Sequence, residues 1–105
     1  MSRQISPLRR LTQRQTRQSM EALQRAAEHC ESWRGLSRKV SEATGERLDD
    51  SAAYNWYTRG CPGERAVDIE HATQGAVLRQ EIRPDLYEGM RLNQWLMDSH
   101  ATAEV

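Results

Sequence analysis

From Thr12 to Arg34 the chain contains neither Gly nor Pro, and Met20, Leu23, Ala26, Ala27 and Cys30 recur at i, i+3, i+6, i+7 and i+10. On a helix that spacing forms one apolar stripe, so a first helix is predicted to begin between Thr12 and Ser19 and to end near Cys30. Ser32 then caps a second helix, Trp33 to Thr44, in which Trp33, Leu36, Val40 and Ala43 repeat the stripe before Gly45 stops it. After the polar connector Gly45-Glu46-Arg47 and Leu48, Asp49 is a good N-cap, and a third helix is expected from about Asp50 to Arg59, ended by Gly60. In it Leu48, Ala52, Ala53 and Trp56 can face a core, which leaves Asp50, Ser51, Tyr54, Asn55 and Thr58 outside. Pro62-Gly63 marks a turn. Glu64 to Thr73 reads as a fourth helix, with Ala66, Val67, Ile69 and Ala72 apolar, and Gly75 just beyond its end. The short apolar run Ala76-Val77-Leu78 predicts an extended link to a single helical turn, Arg79 to Ile82, which Pro84 limits. Leu92, Trp95 and Leu96 at i, i+3 and i+4 predict a short C-terminal helix or docking segment before a polar tail from Ser99. Residues 1 to 11 carry no period, and Ser6-Pro7 is an extended or turn dipeptide.

Length and charge narrow the reading. A chain of 105 residues, 37% hydrophobic, has one modest core and little material for a second. Fifteen basic residues balance fifteen acidic ones, which by itself points to no polyanionic or polycationic partner. The balance is a cancellation. Residues 1 to 20 hold five arginines (Arg3, Arg9, Arg10, Arg14 and Arg17) and no acid, so a +5 arm is joined to a −5 body. No run approaches the roughly 18 apolar residues of a membrane span, and the start lacks the apolar stretch of a secretory signal. The Arg-rich start has some likeness to a transit peptide, but it is Gln-rich and feeds directly into a helical pattern. A soluble cytoplasmic chain without a membrane partner is the expectation. Cys30 and Cys61 are too few and too far apart for a disulfide framework or a Cys-x-x-Cys motif, and are expected as reduced thiols.

Chemistry is sparse. His29, His71 and His100 are scattered, and adjacent His29 and Cys30 point about 100° apart on a helix, which suits no shared metal. There is no phosphate loop, no Gly-x-Ser-x-Gly elbow and no evident carboxylate pair. The expectation is a protein without catalytic residues, metal or cofactor. Two short helices joined by a polar connection, the second small and polar on its outer face, have instead the arrangement of a helix-turn-helix, whose second helix enters the major groove. Asn55 can offer an amide edge to adenine, and Ser51, Tyr54 and Thr58 can bond bases or phosphates.

The carrying residues are Leu36, Val40, the block Ala52-Ala53-Tyr54-Asn55-Trp56, then Arg59-Gly60-Cys61-Pro62, the helix Glu64 to Thr73, and Glu81-Ile82-Arg83-Pro84-Asp85-Leu86-Tyr87. Over Ser32 to Tyr87, about half the chain, they resemble the Cro-like, YdaS-type helix-turn-helix family of phage and prophage repressors and antitoxin-like regulators. The resemblance implies an all-α, five-helix Cro-like domain over residues 19–88. Flanking it are a basic N-terminal arm, or the start of helix 1, at 1–18, and a short C-terminal extension at 89–105, a candidate for dimerisation with a polar tail. It implies a homodimer on a double-stranded, inverted-repeat DNA operator, and places Asp50, Ser51, Tyr54, Asn55 and Thr58 toward DNA. Arg59 fits a phosphate contact or the helix dipole. Arg38, Lys39 and Arg47 are local basic candidates, and Arg9, Arg10, Arg14 and Arg17 form a phosphate-tracking or minor-groove arm.

Three departures from the family stand out. The connection Ser41 to Arg47 is longer than the usual compact turn. Asp49 and Asp50 replace Ser, Arg or Gln; one acid is explained as an N-cap, while the second repels phosphate unless it accepts from cytosine N4. Leu78 stands where a capping Thr is expected. Trp33 and Trp56 are expected in the core. The alternative reading is a protein-interaction module on the same fold, an antitoxin binding a toxin or a protein binding polymerase or another repressor, which the paired acids and the −5 body favour.

Overall fold

A computed structural model describes residues 11–87. Among them the secondary structure is all helical: α1 (Gln13–His29), α2 (Trp33–Thr44), α3 (Ala52–Arg59), α4 (Gly63–Ala72), α5 (Arg79–Ile82) and α6 (Pro84–Tyr87). The first ten residues, with Arg9 and Arg10, and residues 88–105, with Leu92, Trp95 and Leu96, lie outside the described residues.

The starts of α1 and α2 have local causes. The Thr12 hydroxyl accepts from the Gln15 amide, and the Gln15 side chain accepts from the Thr12 amide, both at 3.0 Å. This reciprocal cap satisfies two otherwise free donors and starts α1 at the early edge of the expected range. Arg14 and Arg17 therefore stand on helical turns. Ser32 caps α2 by accepting from the Gly35 amide at 2.9 Å, and Gly45 ends it at φ 78, a left-handed position that glycine adopts without a Cβ penalty. Between α1 and α2 the chain turns sharply through Glu31 at φ 77. A Cβ on Gly35 would sit 2.1 Å from the Cys30 carbonyl oxygen, so only glycine lets the end of α1 rest on the first turn of α2.

The core joins Leu23 and Ala26 of α1, Leu36 and Val40 of α2, Ala53 and Trp56 of α3, and Ala66 and Ile69 of α4 with Cys61, Val77 and Ile82. Two stripes differ from the apolar periodicity. On α1 the buried residues are Ser19, Ala22, Leu23, Ala26 and Ala27, with Met20 and Cys30 half-buried; the small side chains let neighbouring elements approach closely. On α2 buried Ser37 joins Leu36 and Val40, which rotates the inner face toward Ser37 and leaves Ala43 exposed.

The C-terminal part is held by polar contacts that periodicity does not reveal. Buried Glu70 accepts from the Arg79 amide at 2.6 Å and from its guanidinium Nε at 3.0 Å, so α4 supplies the cap that Leu78 cannot. Glu81 adds a bond by accepting from the Leu78 amide at 2.9 Å. Pro84 does not merely limit α5; it opens α6, because its missing N–H and fixed φ suit a first helical position. The expected five helices thus become six helical segments among the described residues, two of them single turns. Arg83 donates to the Cys61 carbonyl at 2.9 Å and pairs with Asp85, while the Tyr87 hydroxyl donates to the Gly63 carbonyl at 3.1 Å. These bonds tie α6 to the link between α3 and α4.

Candidate nucleic-acid interface

The relation between α2 and α3 is fixed by one buried hydroxyl. Ser37 of α2 is fully buried; its Oγ accepts from the Ala53 amide at 2.9 Å and shares its proton between the carbonyls of Asp50 and Trp33, each at 3.1 Å. The donor at the start of α3 is therefore satisfied from another helix. This changes the expected start of α3. Helix geometry begins at Ala52, with Ser51 in the N-cap position and no side-chain cap bond from it. Asp49 is not the N-cap; its carboxylate accepts from the Ser51 amide at 3.1 Å and from the Ser51 hydroxyl, closing the turn ahead of the helix. Those hydrogen bonds hold the Asp49 carboxyl below its ordinary range.

The connection from Gly45 to Ser51 is anchored at its start. The Ser41 hydroxyl donates to the Glu46 carbonyl, the Glu46 amide donates to Thr44 Oγ1 at 3.1 Å, and Arg65 of α4 pairs with the Glu46 carboxylate. The bond to Glu46 is the main reason the Arg65 guanidinium is held above its ordinary range.

Ser51, Tyr54, Asn55, Thr58 and Arg59 are all exposed along the outer side of α3. Tyr54 is held in place: its ring meets Trp33 edge-on at 5.7 Å between centroids and lies 5.9 Å from Tyr57. The Thr58 hydroxyl donates back to the Tyr54 carbonyl at 3.2 Å, leaving its oxygen as an acceptor. Trp56 is buried, whereas Trp33 is only partly buried and packs against Tyr57 at 4.9 Å.

Basic side chains flank this face. At the N-terminal side of α3, Arg38 Nε and Nη2 lie 3.3 and 3.4 Å from the two Asp50 oxygens, and Arg34 Nε lies 3.6 Å from Oδ2. Asp50 is thus a partner of two arginines. Lys39 and Arg47 are exposed nearby in sequence, and Arg47 lines a shallow concavity with Leu48, Asp49 and Asp50. Arg17 of α1 lines a groove with Met20, Glu21, Gln24 and Tyr57, where α1 lies beside α3; Arg14 is exposed one turn earlier.

Two contributors escape a reading by periodicity, Ser37 and Arg34. The signal for the first is a small polar residue between Leu36 and Val40, four positions after Trp33. The signal for the second is its place one turn before Arg38, on the same side of α2. Among the described residues no three His, Cys, Asp or Glu side chains gather as metal ligands, and no helix there is long and apolar enough to cross a membrane. Burial pushes both the Cys61 and Cys30 thiols up, with Lys39 partly offsetting the effect at Cys30.

No curated protein and no solved structure matches the chain. Residues 48–91, which begin in the turn ahead of α3 and include α3 to α6, match the family model described as bacterial toxin YdaS, so this stretch is similar to the family that the sequence resembles.

Proposed function

We propose that this chain is a sequence-specific DNA-binding regulator, a Cro-like repressor that occupies a promoter as a homodimer on an inverted-repeat operator. The observation that carries the reading is the outer side of α3. It is polar and exposed, pinned to α2 through Ser37, and flanked by arginines of α1 and α2. With α3 in the major groove, the Asn55 amide pairs with the N6 and N7 edge of adenine, while Ser51, Tyr54 and Thr58 contact bases or phosphate oxygens. Arg14, Arg17, Arg38, Lys39, Arg47 and Arg59 neutralise phosphates. Two-fold symmetry sets the two copies of α3 about 34 Å apart, one turn of the duplex. The reading involves no catalysis and no cofactor.

The test is a gel-shift series on the duplex that wild-type protein enriches from a randomised pool. Asn55→Ala should weaken binding to that duplex by about 1–3 kcal/mol and relax selection at one base pair. Replacing Arg14 and Arg17 by Gln should weaken binding to every sequence and flatten the salt dependence by about 0.9 per lost phosphate contact. Identical shifts for Asn55→Ala and wild type would refute the assignment of α3.

The description of the matched family as a bacterial toxin favours a second reading, in which the same fold serves a protein partner such as the other member of a toxin and antitoxin pair. Tight binding to a protein with no DNA affinity at low salt would establish it over the first.

A further inference from the structure

We infer that Asp50 is a specificity-determining residue that holds back non-specific DNA binding by occupying Arg34 and Arg38. This rests on the proposed DNA-binding role of α3.

An acid at the start of a helix that meets DNA ordinarily costs affinity through repulsion from phosphate. Here both carboxylate oxygens are engaged: Oδ1 with Arg38 Nε at 3.3 Å, and Oδ2 with Arg38 Nη2 at 3.4 Å and Arg34 Nε at 3.6 Å. The three side chains remain half or more exposed, at 50% for Asp50, 63% for Arg38 and 67% for Arg34. A phosphate can therefore reach the guanidinium groups, but only in competition with a carboxylate already in place. Ion pairs this exposed add little to stability, so their main effect lies in that competition.

The competition is unequal between sequences. On any duplex, drawing Arg34 and Arg38 onto phosphates strips Asp50 of its partners beside a polyanion. Asp50 lies just ahead of Ser51 and α3, where a freed carboxylate can reach a base edge. A cytosine there offers its N4 amino group as a donor. Only a duplex with cytosine in that position compensates the lost pairs, and every other sequence bears the cost. Asp50 thus lowers general affinity more than operator affinity, and widens the ratio between them.

The experiment compares wild type, Asp50→Asn, and Asp50→Asn combined with Arg34→Gln and Arg38→Gln. Each is titrated across a salt series against a random-sequence duplex and against the duplex enriched by wild type. Circular dichroism melts confirm that every variant is folded. Asp50→Asn should bind the random duplex roughly three- to tenfold more tightly, the range set by freeing one or two exposed ion pairs. Its log-log salt slope should steepen by about 0.9 for each added phosphate contact. Its operator preference should fall, with selection relaxed at one G·C pair, and the triple variant should lose the gain on the random duplex. A merely structural role for Asp50 would not steepen the salt slope. If wild type enriches a sequence but Asp50→Asn shows unchanged or weaker random-duplex binding with the same slope, the inference is overturned and the DNA-binding reading stands. If wild type binds no duplex at all, the reading fails and this inference with it.

Discussion

Ser37→Ala removes a single oxygen from the joint between α2 and α3, and the structure sets its cost. Ser37 and Ala53 are both fully buried, so the Ala53 amide that donates to Ser37 Oγ at 2.9 Å loses its acceptor where water does not replace it. An unsatisfied buried donor costs about 1–3 kcal/mol, and a lost helix cap about 1 kcal/mol, two descriptions of the same bond. Removing the hydroxyl leaves only a small void. The expected loss is about 2 kcal/mol from a total that for such domains is about 5–15 kcal/mol, equivalent to a fall in Tm of roughly 10 °C. Urea unfolding followed by tryptophan fluorescence suits the measurement, because Trp33 and Trp56 lie on the two helices being joined. The control is Ser51→Ala. Ser51 occupies the N-cap position of α3 but makes no side-chain cap bond to the helix, and its substitution should cost no more than about 0.5 kcal/mol. A Ser37→Ala loss below about 0.5 kcal/mol, or a larger loss for Ser51→Ala, would refute the argument that α3 is capped from α2. Ser37→Ala should also weaken operator binding at temperatures where it remains folded, since the orientation of α3 loosens.

Four further substitutions probe the rest of the scaffold. Glu70→Ala leaves the Arg79 guanidinium buried without this carboxylate and removes the cap of α5, so a loss of about 3–5 kcal/mol is expected in thermal or urea melts; a loss below about 1 kcal/mol would contradict it. At the turn between α1 and α2, Glu31→Gly relieves a left-handed residue and should be neutral or stabilising by up to about 1 kcal/mol. Gly35→Ala, by contrast, drives a Cβ to 2.1 Å from the Cys30 carbonyl oxygen and should destabilise by more than about 1 kcal/mol; the two melts measured together check both signs. The buried Cys61 thiol is pushed above its ordinary value of 9.0, so the folded state retains a proton that the unfolded chain releases. Its contribution is fully present below that value and is lost as pH rises above it. Relative to Cys61→Ala, wild-type stability should fall by about 1.4 kcal/mol per pH unit above pH 9, and parallel pH profiles would disprove the burial argument.

Much of the fold was legible because local rules and tertiary packing agree. Ser32 and Gly45 bound α2 where capping chemistry places them, and the turn Arg79–Ile82 lies where the pattern locates it. The outer residues Ser51, Tyr54, Asn55 and Thr58 follow from the spacing of Ala52, Ala53 and Trp56, since burying one side of a helix exposes the other. Asp49 misled because an aspartate before a helix fits both an N-cap and the preceding turn. The choice was made by Ser37, sixteen residues away in sequence from the Ala53 amide it satisfies. Pro84 misled similarly, since proline both ends and begins helices.

The sequence by itself determined the all-helical class, most helix boundaries and the polar face of α3, all consequences of interactions within a few residues along the chain. Only the tertiary structure decided how that face is held and what surrounds it. The Ser37 cap, the Asp50 pairing with Arg34 and Arg38, and the Glu70 pairing with Arg79 depend on distances between separate segments of the chain. A hydrogen bond or ion pair acts over about 3 Å, and a one-dimensional pattern of polar and apolar positions carries no information about which distant side chains come within that reach.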